Sequence, residues 1–174
     1  MPDQVTHEVI VACVDGSPEG YMAVAEAAEL ARVFHARLIA LSVAKRLPKG
    51  PTTLAEVDEA KRNRDEYLER IYARTEVIAT HHDTTVTHEV RFGRAADVIV
   101  SFARDVDADL VVLGQRRRSR ILGAVGSSTA HKVSDHSTAS VLIVKGASVD
   151  AAHQRLLKLL DLSDEEPDPR IGLS

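Results

Sequence analysis

Short, unbroken apolar runs separated by stretches of helical period constrain this chain more than any other feature. EVIVACV (8–14), ARLIALSVA (36–44), DLVVLG (109–114) and ASVLIVK (139–145) are rich in β-branched and apolar residues. Continuous apolarity, as opposed to alternation, marks strands that are covered on both faces. TVTHEVRF (85–92) differs, because Val86, His88, Val90 and Phe92 fall on one side and Thr87, Glu89 and Arg91 on the other. That pattern predicts a half-exposed strand at a sheet edge.

Between the strands the period becomes helical. From Pro18 to Phe34 the chain is alanine-rich, with Met22, Ala23, Ala27, Leu30, Ala31 and Phe34 on one face, which predicts a helix lying close to a sheet. Ser17 and Pro18 supply its N-cap and first-turn proline. From Leu54 to Ile78, the residues Leu54, Val57, Ala60, Tyr67, Leu68, Ile71 and Ile78 form one apolar stripe opposite a charged face. Gly93 to Val106 repeats the pattern through Ala96, Ile99, Phe102, Ala103 and Val106, and a fourth helix is expected from near Ser127 or Ser128 to about Asp135. The order β-α-β-α-β-α-β-α-β leaves a parallel sheet with helices on both faces and right-handed crossovers as the economical architecture.

Residues 1–146 are therefore read as one α/β domain and residues 147–174 as an appendage. In the appendage, SVDAAHQRLLKLLDL (148–162) predicts a short amphipathic helix that packs on its own chain, on a second copy or on a protein partner. The acidic, proline-containing SDEEPDPRIGLS after it favours disorder.

Composition removes several classes of function. The formal charge of −4 gives no general attraction to nucleic acid or anionic lipid, so any basic surface must be local. With 3% aromatic residues and no tryptophan, the chain is poorly supplied for stacking bases of a single strand. One cysteine, Cys13, builds neither a disulfide framework nor a cysteine metal site and is read as a small apolar residue. No run is long enough to span a membrane, and MPDQVTHEV lacks the regions of a secretory signal, so a cytoplasmic setting is expected. Of His81, His82, Asp83 and His88, the adjacent pair His81 and His82 falls at a helix end, where histidines cap carbonyls, and no i, i+4 ligand pair accompanies them, so no metal is expected; His131 and His136, on or near the fourth helix, are read as surface or capping residues.

In an open parallel sheet, ligands bind beyond the carboxyl ends of the strands where strand order reverses. The two strand exits expected there are VDGS (14–17) and GQRRRSRILGAVGSS (114–128). Gly126, Ser127 and Ser128 stand at a helix start, whose unpaired N–H groups attract a phosphate. Asp15 is placed to accept hydrogen bonds from an adenine amino group or ribose hydroxyls. Plainer readings stand beside these: Asp15 to Ser17 as a turn and cap, Gly126 to Ser128 as an N-cap, and Arg116, Arg117, Arg118 and Arg120 as a solvated loop. Neither G-x-x-x-x-G-K-[ST] nor G-x-G-x-x-G occurs, so no machinery for fast phosphoryl transfer is evident and an enzyme is not expected, weak ATP hydrolysis staying open.

Taken in order, the VDGS exit, GRAADVIVSFARDVDADLVVLG (93–114) and the glycine-rich loop ending in GSS before ASVLIVK resemble the universal stress protein family from about Glu8 to Lys145. The resemblance implies a stress-response protein with a five-stranded, doubly wound, Rossmann-like sheet in the order 3-2-1-4-5. It also implies a homodimer joined through the last strand and, in one subgroup, an ATP site. That subgroup carries Gly, two residues, Gly, nine residues, then Gly-Ser or Gly-Thr. Here Gly114 and Gly126–Ser127 match the outer positions, Arg117 stands at the second glycine, and the stretch after it is one residue short. Carried over by position, Asp15 contacts adenine or ribose, Val43 lies against the base, and Gly114, Gly126, Ser127 and Ser128 hold phosphates. The Arg117 side chain either fills the phosphate space or pairs with the phosphate through its planar fork. The expected function is a regulatory domain that binds an adenine nucleotide, ATP foremost; the alternative is a dimeric interaction module of the same family without nucleotide.

Overall fold

The computed structural model describes residues 7–46, 53–115 and 129–145, together with residues 158 and 160. In chain order the elements are β1 (Val9–Cys13), α1 (Pro18–Phe34), β2 (Arg37–Ala44), α2 (Leu54–His81), β3 (Val86–Phe92), α3 (Ala95–Asp105), β4 (Leu110–Gln115), α4 (Thr129–His136) and β5 (Ser140–Lys145). The five strands form one sheet in the order β3-β2-β1-β4-β5, and every pairing is parallel. The expected fold class is therefore the observed one. The chain winds outward from β1 through β2 to β3, then crosses back so that β4 lies on the other side of β1. Strand order reverses between β1 and β4.

Alternation along each strand feeds two separate cores. Ile10, Ala12, Val14, Leu38, Ala40 and Val112 face the alanines of α1 and the residues Tyr67, Leu68, Ile71 and Ile78 of α2. Val11, Cys13, Ile39, Leu41, Val43, Val111 and Leu113 face Ile99 and Phe102 of α3 and Val133 of α4. Covering both faces is what makes the central strands apolar at every position. Each fully buried Ile or Leu among them contributes about 1.5–3 kcal/mol relative to an exposed one.

The outer strands are less covered. Val86 and Val90 of β3 pack against the α1–α2 core, while Phe92 is exposed beneath the Arg64 guanidinium, 5.2 Å from its ring centroid. His88 faces α2, with Nε2 2.6 Å from the Thr75 hydroxyl and its ring 4.4 Å from that of Tyr72. On the opposite edge, Val141, Leu142, Ile143 and Val144 of β5 are all half-buried.

Helix ends follow local chemistry. Ser17 Oγ accepts from the Gly20 amide at 3.1 Å, with Pro18 opening α1, as the sequence predicts. Thr53 and Glu56 form a reciprocal capping box at the start of α2. α2 runs past Ile78 to His81, because the His82 amide still bonds the Ile78 and Ala79 carbonyls and His82 Nδ1 reaches Glu29 Oε2 of α1 at 3.2 Å. α3 is shorter at both ends than the apolar pattern from Gly93 to Val106, beginning at Ala95 and closing at Asp105. The expected start of α4 at Ser127 or Ser128 lies outside the described residues, as does almost all of the expected 148–162 helix. Leu160, which is described, packs against the α1–α2 core. Among the described residues, no helix is long and apolar enough to cross a membrane, and no group of three His, Cys, Asp or Glu side chains is arranged to hold a metal.

Candidate functional site

Residues Val14 to Ser17 leave β1 at the switch point and enter α1, and their hydrogen bonds hold them tightly. The Val14 amide donates to the Leu41 carbonyl at 3.0 Å, and Ser42 Oγ donates to the Val14 carbonyl at 3.0 Å. The chain is thus tied to β2 up to its last strand-like residue. It then reverses at Gly16, whose φ of +81° is a conformation that a side chain disfavours.

Asp15 is only 7% exposed. Its Oδ1 accepts from the Ser17 amide at 3.0 Å and from the Ser17 hydroxyl in a short hydrogen bond. Because Ser17 Oγ in turn accepts from Gly20 N–H, the carboxylate is linked through one hydroxyl to the first turn of α1. The plain reading of this segment as a turn and cap is therefore realised in full, with the Asp15 carboxylate fixed at the exit of β1.

Tyr67 of α2 closes the turn from the other side. Its hydroxyl donates to the Asp15 carbonyl at 2.9 Å, a buried bond between residues 52 positions apart. The same hydroxyl fills the space that a Cβ on Gly16 would enter. Sequence reasoning placed Tyr67 only on an apolar stripe. A ring at helical spacing reads as core, and the packed fold alone brings its oxygen to the turn. Ser42 was missed for a like reason: one hydroxyl inside an apolar strand has no local pattern around it.

The β4 side of the crevice is described as far as Gln115. Gly114 pairs with Val144 of β5, and a Cβ added to it would collide with the backbone carbonyl of Glu19 in α1. Val43 is 2% exposed and packs on the α3 side of the sheet with Cys13 and Leu113. The fold brings Asp15 and Gly114 to the ends of adjacent strands, with Val43 at the end of the next. Arg117, Gly126, Ser127 and Ser128, together with Arg116, Arg118 and Arg120, lie outside the described residues.

Cys13 lies directly before this turn. Burial, and then the negative charge of Asp15, push its thiol well above the usual range. Its complete burial beside Leu113 and Val43 is in keeping with a small apolar role.

The sequence profile of the Universal stress protein family matches residues 6–145. A universal stress protein whose crystal structure was solved in complex with cAMP shares 25% identity, with a TM-score of 0.64 over 80% of this chain and 97% of that one. The universal stress protein UspA from Lactobacillus plantarum shares 26%, with a TM-score of 0.62 over 81% of this chain and 99% of its own. A universal stress protein from Archaeoglobus fulgidus in complex with dAMP shares 23%, with a TM-score of 0.53 over 82% of this chain and 100% of its own, a likeness of fold alone. No curated protein matches the chain.

Proposed function

Because the chain belongs to the universal stress protein family, we propose that it is a regulatory domain that binds an adenine nucleotide, ATP foremost, in the crevice between β1 and β4. The observation that carries this is the turn itself: a fixed carboxylate, Asp15, at the exit of the central strand where strand order reverses. The relative solved with cAMP supports an adenine ligand as the class to test first. Asp15 then meets adenine or ribose, and Val43 supports the base from within the strand layer. Gly126, Ser127 and Ser128 hold the phosphates at the α4 end, with Arg117 pairing its guanidinium to them. The Cα side of Gly114 is taken by Glu19, so Gly114 contributes through its backbone. ATP would supply an anionic triphosphate and an adenine edge to these groups; no catalytic step is assigned. The protein acts in the cytoplasm as a sensor.

Calorimetric titration of nucleotide-free protein with ATP tests the proposal, alongside Asp15→Ala and Gly126→Val. Saturable binding that both variants weaken is the expected result. No heat at millimolar ATP removes the nucleotide and leaves the fold untouched.

A second reading, a dimeric interaction module without nucleotide, is favoured by two features. Glu19 gives Gly114 a packing reason of its own, and β5 presents four half-buried apolar residues at a sheet edge. A homodimer through β5, or a protein partner captured by the segment after it, follows from this reading. Sizing and pull-down with residues 148–174 deleted separates the two contributions, since loss of partner capture with the dimer retained assigns capture to the appendage.

A further inference from the structure

Resting on the nucleotide reading above, we propose that Tyr67 is a positioning residue of the site: its hydroxyl holds the Asp15–Ser17 turn in the ligand-ready conformation and makes affinity depend on how α2 is docked.

Three observations carry this. First, the Tyr67 hydroxyl donates to the Asp15 carbonyl, so it fixes the peptide plane immediately after the residue whose carboxylate is held at the exit of β1. Second, that peptide leads into Gly16 at φ +81°, and the Tyr67 hydroxyl occupies the volume beside the Gly16 α-carbon. Removing the oxygen both frees the carbonyl and opens room for the turn to relax, which are two changes in the same direction. Third, the Asp15 carboxylate is oriented through Ser17, so the polar groups of the turn move as one body. A hydrogen bond to its backbone from a separate helix therefore reaches the carboxylate without touching it. Tyr67 itself is held in place, 6% exposed among the α1–α2 core residues, with the Arg70 guanidinium 5.4 Å from its ring centroid.

The placement also creates a coupling. α2 is the long connection whose other face is charged and exposed, and the Tyr67 hydrogen bond is a polar link from that helix into the turn. Whatever shifts α2 relative to the sheet changes the turn, and by linkage a ligand in the crevice favours the docked position of α2.

Tyr67→Phe removes the oxygen and keeps the ring; Ile71→Val, on the same buried face of α2, serves as a core-destabilised variant that leaves the turn alone. The expected result is a Kd for ATP about five- to tenfold higher in Tyr67→Phe, the effect of one net hydrogen bond, with Ile71→Val binding like the wild type. Amide exchange at Ser17 and Gly20 in the ligand-free protein is expected to rise in Tyr67→Phe alone. Should the wild type bind ATP and Tyr67→Phe bind it equally well, the positioning role is overturned. Should the wild type bind no ATP, the nucleotide reading fails by itself and the claim on affinity with it; faster exchange at Ser17 and Gly20 confined to Tyr67→Phe would then uphold only the hold of Tyr67 on the turn, and unchanged exchange would overturn that as well.

Discussion

The two strand ends that meet at the crevice each place a glycine where a side chain would not fit, yet for different physical reasons. At the β1 exit, Gly16 adopts a positive φ and lies under the side-chain hydroxyl of Tyr67. At the β4 exit, Gly114 lies within the extended strand, and the obstacle is the main-chain carbonyl of Glu19 at the start of α1. A side chain can rotate away; a helix backbone moves only with the helix. One glycine serves the shape of a turn, and the other lets the alanine-rich α1 approach the sheet closely. Glycines at a candidate phosphate loop are thus no sign of phosphate by themselves.

The sharpest way to break this contrast is Gly114→Ala. Its methyl group meets backbone, so α1 must lift from β4, and we expect a loss of about 3 kcal/mol in urea-induced unfolding, the upper range for overpacking. A loss below that for Gly16→Ala would overturn the ordering. Gly16→Ala itself is expected to cost about 2 kcal/mol, combining a left-handed residue with displacement of the Tyr67 hydroxyl. Because its effect is confined to the turn, amide exchange is expected to rise at Ser17 and Gly20 before it rises in β4.

Asp15→Ala sharpens the contrast from the ligand side. It removes the acceptor of the Ser17 amide and hydroxyl and is expected to cost about 1 kcal/mol of stability. Its larger effect is on ATP, with Kd expected to rise about tenfold or more, as for hydrogen bonds to a charged group. Calorimetry and denaturation on the same preparation separate the two.

The smallest effect is expected away from both exits. Burial holds the His88 imidazole below its ordinary value, with Glu76 opposing. Its neutral form is therefore favoured in the fold, so its contribution is present above about pH 6.5, the unfolded value, and is lost as pH falls through the folded value. Replacing it by His88→Gln should flatten that part of the pH–stability curve and leave the affinity for ATP unchanged at neutral pH. A changed affinity would mean that the β3 edge is coupled to the crevice.

Much of this was legible in the residues. The unbroken apolarity of EVIVACV, ARLIALSVA and DLVVLG marked central strands, and the alternation from Val86 to Phe92 marked an edge. ASVLIVK, just as unbroken and expected to be covered on both faces, instead forms the half-buried edge strand β5, because apolarity does not say which neighbour a strand lacks. Ser17 and Pro18 announced the start of α1 because capping is local chemistry. Helix ends were less legible: α2 gained its last turn through His82, whose contact with Glu29 belongs to another helix. At the crevice, Asp15 could be assigned to a strand exit from order alone, whereas its short hydrogen bond with Ser17 needed the turn to be built.

By itself, the sequence determined the order of elements, the parallel sheet they must form and the strand ends that could frame a ligand, because periodicity and capping act over a few residues. Only the tertiary structure decided that Tyr67 reaches the Asp15 carbonyl and that Glu19 takes the space at Gly114. Those meetings depend on how closely helices pack on the sheet, a distance set by the summed volumes of buried side chains from distant parts of the chain and written in no single stretch of it.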